Sequence, residues 1–104
     1  MHSTFNLLPG TDEAVFRGAF SAFCEHLVAQ DLITAWRIMR RQAHSGYNAD
    51  EPAGSYYLMT EFADMTQAQA CWDYVQADAA PIDRLHRKVR EQVTDSSFYL
   101  AEDF

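Results

Sequence analysis

The chain has 104 residues, 48% of them hydrophobic, which predicts one folded domain over residues 1–104. Fifteen acidic residues against eight basic ones give a formal net charge of −7, whereas a nucleic-acid partner normally meets a basic face. We therefore expect no nucleic-acid partner, and because we find no signal peptide and no run of roughly 20 apolar residues, we also expect no membrane partner and a cytoplasmic location.

The N-terminal third predicts a strand followed by a helix. The segment STFNLL, residues 3–8, alternates apolar and polar side chains, and Pro9-Gly10 ends the run. From Asp12 to about Gln30, large apolar residues recur at the i, i+4, i+7, i+11 spacing of one helical face, with Thr11 as the expected cap. These inward residues are Phe16, Phe20, Phe23 and Leu27.

Two β-branched and aromatic segments predict a long hairpin. LITAWRIMRRQ (residues 32–42) and GSYYLMTEF (residues 54–62) contain the residue types that favour strands. The polar segment AHSGYNADEPAG, residues 43–54, is the predicted connection between them.

The C-terminal half predicts two helical segments and a last strand. A second helix begins at Asp64 or Thr66, where Thr66 and Gln69 would form a capping box. Pro81 interrupts this helix and suits the first turn of another one. The expected inward residues of the two segments are Ala68, Trp72, Val75, Ile82, Leu85, Val89 and Val93. The segment SSFYLAEDF, residues 96–104, closes the chain as a strand.

The order β-α-β-β-α-β is that of the ferredoxin-like fold, an α+β fold in which helices cover one face of a four-stranded antiparallel sheet. Strand alternation then divides the strand residues between two faces. The face away from the helices is expected to carry Thr4, Asn6, Ala35, Arg37, Met39, Tyr57, Met59, Glu61 and Tyr99. This face is too apolar for open water and too polar for a dry core, which indicates a partly enclosed surface.

The chain resembles the dimeric α+β barrel superfamily, whose ferredoxin-like subunits press their free sheet faces together around a central cavity. LITAWRIMRR, YYLMTEF and LHRKVREQVTDSSFYLAEDF are similar to a small group of bacterial proteins of unknown function within it. The resemblance implies a homodimer. Superfamily members include cofactorless monooxygenases, lactone isomerases and haem-dependent enzymes, so it implies no single activity.

Arg37 is the basic residue that alternation directs into the expected enclosed surface. A buried guanidinium requires a carboxylate or an anionic ligand. Glu61 is the expected partner, at about the same level of the neighbouring strand. Arg40 and Arg41 are expected at the rim, where Asp50 or Glu51 could pair with them.

The candidate ligand-binding residues are therefore Asn6, Arg37, Tyr57, Glu61 and Tyr99. In one interpretation they bind a small aromatic or anionic molecule, in a cavity between sheet and helices or between the sheets of the dimer. In a second, they form the site of a cofactorless monooxygenase- or isomerase-like enzyme. In a third, the Arg37–Glu61 pair fixes strand register in a dimerisation module that has no ligand.

The cysteines and histidines predict neither a metal site nor a cofactor. Cys24 and Cys71 each lie in an apolar helical pattern, which predicts buried, reduced thiols. Cys24 and His26 are two residues apart and do not share a helical face, which argues against zinc. His86 lies beside the apolar stripe of the last helix, where a neutral imidazole is expected.

Overall fold

The computed structural model describes residues 1–50 and 54–104 and has an α+β architecture. The elements in chain order are β1 (His2–Leu7), α1 (Glu13–Ala29), β2 (Ala35–Arg40), β3 (Tyr56–Glu61), α2 (Met65–Gln76), α3 (Ile82–Arg90) and β4 (Val93–Tyr99). The four strands form one sheet in the order β2-β3-β1-β4, and all neighbouring strands are antiparallel. The predicted four-stranded sheet is confirmed, and the element order fits the ferredoxin-like scheme with α3 as an additional helix.

The cap of α1 differs from the predicted one, whereas the cap of α2 is Asp64, one of the two predicted positions. The Asp12 side chain, rather than Thr11, accepts hydrogen bonds from the backbone N–H groups of Ala14 and Val15 at 2.8 and 3.2 Å. At α2, the Asp64 side chain accepts from the Gln67 N–H at 2.8 Å, so Thr66 is not the cap. In both helices a carboxylate satisfies N–H groups that have no partner inside the first turn.

The last strand is displaced from its predicted position. β4 begins at Val93, which had been assigned to the last helical stripe, and ends at Tyr99, whereas residues 100–104 have no regular structure. The strand also contains a β-bulge. Thr4 faces Ser97 and Asn6 faces Thr94, so Asp95 and Ser96 together face Phe5 alone. Asp95 has a left-handed backbone with φ of 56°, a conformation found in bulges.

The core lies between the helices and one face of the sheet. The buried residues of α1 are Phe16, Phe20, Cys24 and Leu27. Three of them belong to the predicted apolar stripe, whose remaining member, Phe23, is half-buried. Phe5 of β1 meets Phe16 at a ring-centroid distance of 5.6 Å, and aromatic pairs of this kind stabilise a core beyond the area they bury. From α3, His86 stacks on Phe23 at 5.4 Å, which joins the two helices. No helix in the described part of the chain is long and apolar enough to cross a membrane.

We expect Asp12→Ala to lower the free energy of unfolding by about 1 kcal/mol, because it removes the acceptor for two N–H groups of α1. Thr11→Ala is the matched control, since Thr11 precedes the cap and should change stability by less than about 0.5 kcal/mol. Urea unfolding followed by circular dichroism measures both. Equal losses in the two variants would contradict the assignment of Asp12 as the cap.

The His86 pKa is lowered from its usual value, first by burial and then by the nearby charge of Arg90, while Asp78 acts in the opposite direction. The unfolded chain therefore binds a proton on His86 at a pH where the folded chain does not. We expect stability to fall as the pH drops below about 6.5 through the lower folded-state pKa. His86→Gln should reduce this slope, whereas His44→Gln, a change at an exposed histidine, should leave the His86 contribution in place. Equal slopes in the wild type and His86→Gln would contradict the assignment.

Candidate functional site

The sheet face that the helices leave uncovered carries one row of side chains across all four strands. Arg37 of β2 is opposite Met59 of β3, Met59 is opposite His2 of β1, and His2 is opposite Tyr99 of β4. Residues at one level of neighbouring strands share a face, so these four side chains point to the same side. Three strand spacings separate Arg37 from Tyr99, which is about 14 Å. A guanidinium, a thioether, an imidazole and a phenol thus lie along one line.

A second row lies directly beside the first. It consists of Met39, Tyr57, Thr4 and Ser97, again one residue from each strand. The predicted division of the strand residues between two faces is confirmed, because Tyr57 and Tyr99 lie on one face while Phe5 and Leu58 are buried on the other.

His2 brings the two predicted tyrosines together. Its Nδ1 atom makes a hydrogen bond with the Tyr57 hydroxyl, and its ring stacks on Tyr99 at 5.5 Å with an interplanar angle of 11°. The predicted strand began at Ser3, so the sequence interpretation missed His2. The signal was present, since counting back two residues from Thr4 places His2 on the same face.

Arg37 and Glu61 do not form the predicted ion pair. Arg37 is opposite Met59, whereas Glu61 is opposite Ala35, so the two residues are diagonal neighbours on one face. Both residues are exposed, and no ion pair of either is found within residues 1–50 and 54–104. The prediction, made by counting residues from the hairpin connection, placed Glu61 at the level of Arg37, whereas it lies two residues further along β3. One cation and one anion therefore lie side by side on this face.

Asn6 lies two levels from His2, and both ends of its amide are already engaged. Its Oδ1 accepts from the Ser55 N–H at 2.9 Å, and its Nδ2 donates to the Asp95 carboxylate at 3.2 Å. These bonds hold the bulge of β4 to the start of β3. The structure therefore does not bring Asn6 to the row that contains Arg37 and Tyr99.

The other two arginines of the AWRIMRR segment have separate roles. Arg40 points to the helix side, where its guanidinium pairs with Glu13 at 2.6 Å, and the same carboxylate accepts from the Tyr56 hydroxyl at 2.6 Å. Such an exposed pair contributes about 0–1 kcal/mol. Arg41 donates to the Ala49 carbonyl at 3.3 Å. The predicted pairing with Asp50 is not the one found for Arg40, and Glu51 lies outside the described residues.

The free face combines a cation, aromatic rings and hydrogen-bonding groups. Arg37 supplies a cation with fixed fork geometry, and the His2, Tyr57 and Tyr99 rings supply stacking surfaces and hydrogen-bonding groups. Met39 and Met59 lie between them and adapt to ligand shape. In the described part of the chain, no group of three or more His, Cys, Asp or Glu side chains is gathered that could hold a metal ion.

Comparison with known proteins gives a family and no activity. A search of the curated proteins and a search of the solved structures gave no match. A family model described as "Family of unknown function (DUF6614)" matches residues 1–104, the full length of the sequence. The chain therefore belongs to this family of unknown function.

Proposed function

We propose that this protein is a homodimer that binds a small aromatic or anionic molecule between two apposed sheet faces, in the manner of a dimeric α+β barrel. The observation that carries the proposal is the row Arg37, Met59, His2 and Tyr99 on a face that no helix covers. In the dimer, each free face would cover the other and enclose the space between them.

The composition of the free face supports the apposition of two copies. Tyr99 is 50% exposed in the single chain, and the side chains of Met39, Tyr57 and Met59 are only half-buried. Aromatic residues and methionine are enriched in protein interfaces. The neighbouring charges of Arg37 and Glu61 make the patch self-complementary, because in a two-fold interface each can meet the opposite charge of the other copy.

The row also supports a ligand within the enclosed space. When the faces are apposed, water is removed from Arg37, and a partly buried cation must then meet a carboxylate or an anionic ligand. The stacked rings of His2 and Tyr99 provide a surface for an aromatic group. The competing possibility is a dimerisation module without a ligand, in which Glu61 of the other copy satisfies Arg37 completely.

We expect sedimentation at micromolar concentration to give twice the 11.9 kDa of the chain, because a stable interface of at least about 1,200 Å² would cover the free face. Arg37→Glu and Glu61→Arg should each weaken the dimer by placing like charges together, and the double exchange should restore it. Arg40→Glu is the matched control, since Arg40 lies on the helix side. A monomer in the wild type would contradict the proposal.

We expect an aromatic acid, a quinol or a lactone to raise the melting temperature of the wild type. A ligand that binds only the folded dimer stabilises it by about 2.7 kcal/mol at a hundredfold excess over Kd. The shift should be smaller in Arg37→Ala and unchanged in Arg40→Ala, which removes an arginine from the other side of the sheet. If no compound shifts the wild type, or if the shift is equal in Arg37→Ala, the dimerisation module becomes the better explanation.

A further inference from the structure

A cavity of about 400 Å³ lies within each chain, between the helices and the helix-facing side of the sheet. Its wall contains phenylalanines from β1 and α1, the two cysteines, and aliphatic residues of the core. Representative wall residues are Phe5, Phe20, Cys24, Leu58, Cys71 and Val75. This volume falls within the range of sites that hold small molecules. Arg37, Tyr57 and Tyr99 are not part of the wall, so the cavity is separate from the free sheet face.

Thr60 places one unsatisfied hydroxyl in this apolar wall. The residue is 6% exposed, and its Oγ1 atom has no hydrogen-bond partner in the described part of the chain. Its backbone N–H is satisfied by the Met1 carbonyl at 2.9 Å, so the side chain alone lacks a partner. Nearly all buried polar side-chain atoms in proteins have one. Thr60 therefore contributes to the wall a hydroxyl whose hydrogen-bonding capacity is unused.

The thiols and the imidazole of the wall favour their neutral forms. Burial raises the pKa of Cys24 to about 12 and that of Cys71 to about 11, and burial together with the Arg90 charge lowers the pKa of His86. The charged wall groups among the described residues are the exposed Arg90 side chain and the Met1 ammonium, which donates to the Thr60 carbonyl at 2.7 Å. A charged group held among the apolar side chains of the wall would lose its hydration.

The cavity reaches the protein surface, because its wall includes the exposed residues Gln76, Arg90, Ser96 and Phe98. Phe98 lies on the edge strand β4 and is 62% exposed. Phe62 and Trp72, in edge-to-face contact at 6.0 Å, supply further aromatic surface to the wall.

We propose that this cavity binds an uncharged, mainly apolar small molecule with one hydroxyl or carbonyl group, which forms a hydrogen bond with Thr60 Oγ1. The apolar wall provides the affinity through the burial of ligand surface, and the single hydroxyl provides the orientation. This site does not depend on dimerisation or on the free sheet face.

The test uses three ligands that share one ring system. Naphthol carries a hydroxyl group, naphthalene carries no polar group, and naphthoate carries a negative charge. In Arg37→Ala, which lacks the cation that would hold an anion on the free face, we expect naphthol to bind most tightly and naphthoate most weakly, as measured by ligand fluorescence. Thr60→Val keeps the side-chain shape and should lower naphthol affinity by about three- to tenfold, while leaving naphthalene affinity unchanged. Val75→Phe fills part of the cavity and should weaken both.

Two controls separate this site from the free sheet face. The Arg37→Ala background removes the cation of that face, and Thr4→Val, which removes a hydroxyl from the same face, should leave naphthol binding in that background unchanged. Circular dichroism confirms that each variant is folded. In the Arg37→Ala background, naphthol affinity that is equal with and without Thr60→Val, or unchanged by Val75→Phe, would overturn the proposal, as would tighter binding of naphthoate than of naphthol.

Discussion

The alternation of side chains along four strands is the constraint on which the rest of the structure depends. Because successive residues point to opposite faces, a sheet with helices on one side leaves half of its side chains on the other. Here the covered half carries Phe5 and Leu58, which join the core with Phe16 and Phe20 of α1. The uncovered half carries the row that ends in Arg37 and Tyr99. The pattern that builds the core thus also builds the free face.

The two faces of the sheet present different chemistry. On the helix side, the interior is apolar, its thiols are neutral, and one threonine hydroxyl is left without a partner among the described residues. On the free side, rings, a guanidinium and a carboxylate lie at the surface. A neutral apolar molecule suits the first environment and an anionic or aromatic molecule suits the second.

Sequence periodicity predicted the helices and strands better than it predicted which side chains contact one another. The α1 stripe predicted three of its four buried residues, because helical spacing alone determines which residues share a face. The fourth, Cys24, was predicted separately as a buried thiol, and Phe23 is only half-buried. The assignment of Tyr57 and Tyr99 to one face followed from strand alternation in the same way. The break between α2 and α3 near Pro81 was also visible in the sequence, because proline has no N–H for a helix interior.

Features that depend on tertiary geometry were not predicted. Arg40 meets Glu13 because α1 crosses the helix side of β2, and no local pattern encodes that approach. The bulge at Asp95 adds one residue to β4, and the Asn6 contact that holds it spans 89 positions of the chain. The prediction that Arg37 lies opposite Glu61 was made by counting residues outward from the twelve-residue connection 43–54. An error of two residues in that count turns directly opposite neighbours into diagonal ones.

The apposition of two free sheet faces can be tested most directly by isotope-filtered NMR on a dimer mixed from labelled and unlabelled chains. Only contacts between different chains give signals in this experiment. We expect the methyl groups of Met39 and Met59 in one chain to contact the rings of Tyr57, Tyr99 or His2 in the other. Signals confined to helix residues, or the absence of any signal between chains, would contradict the apposition of the sheets.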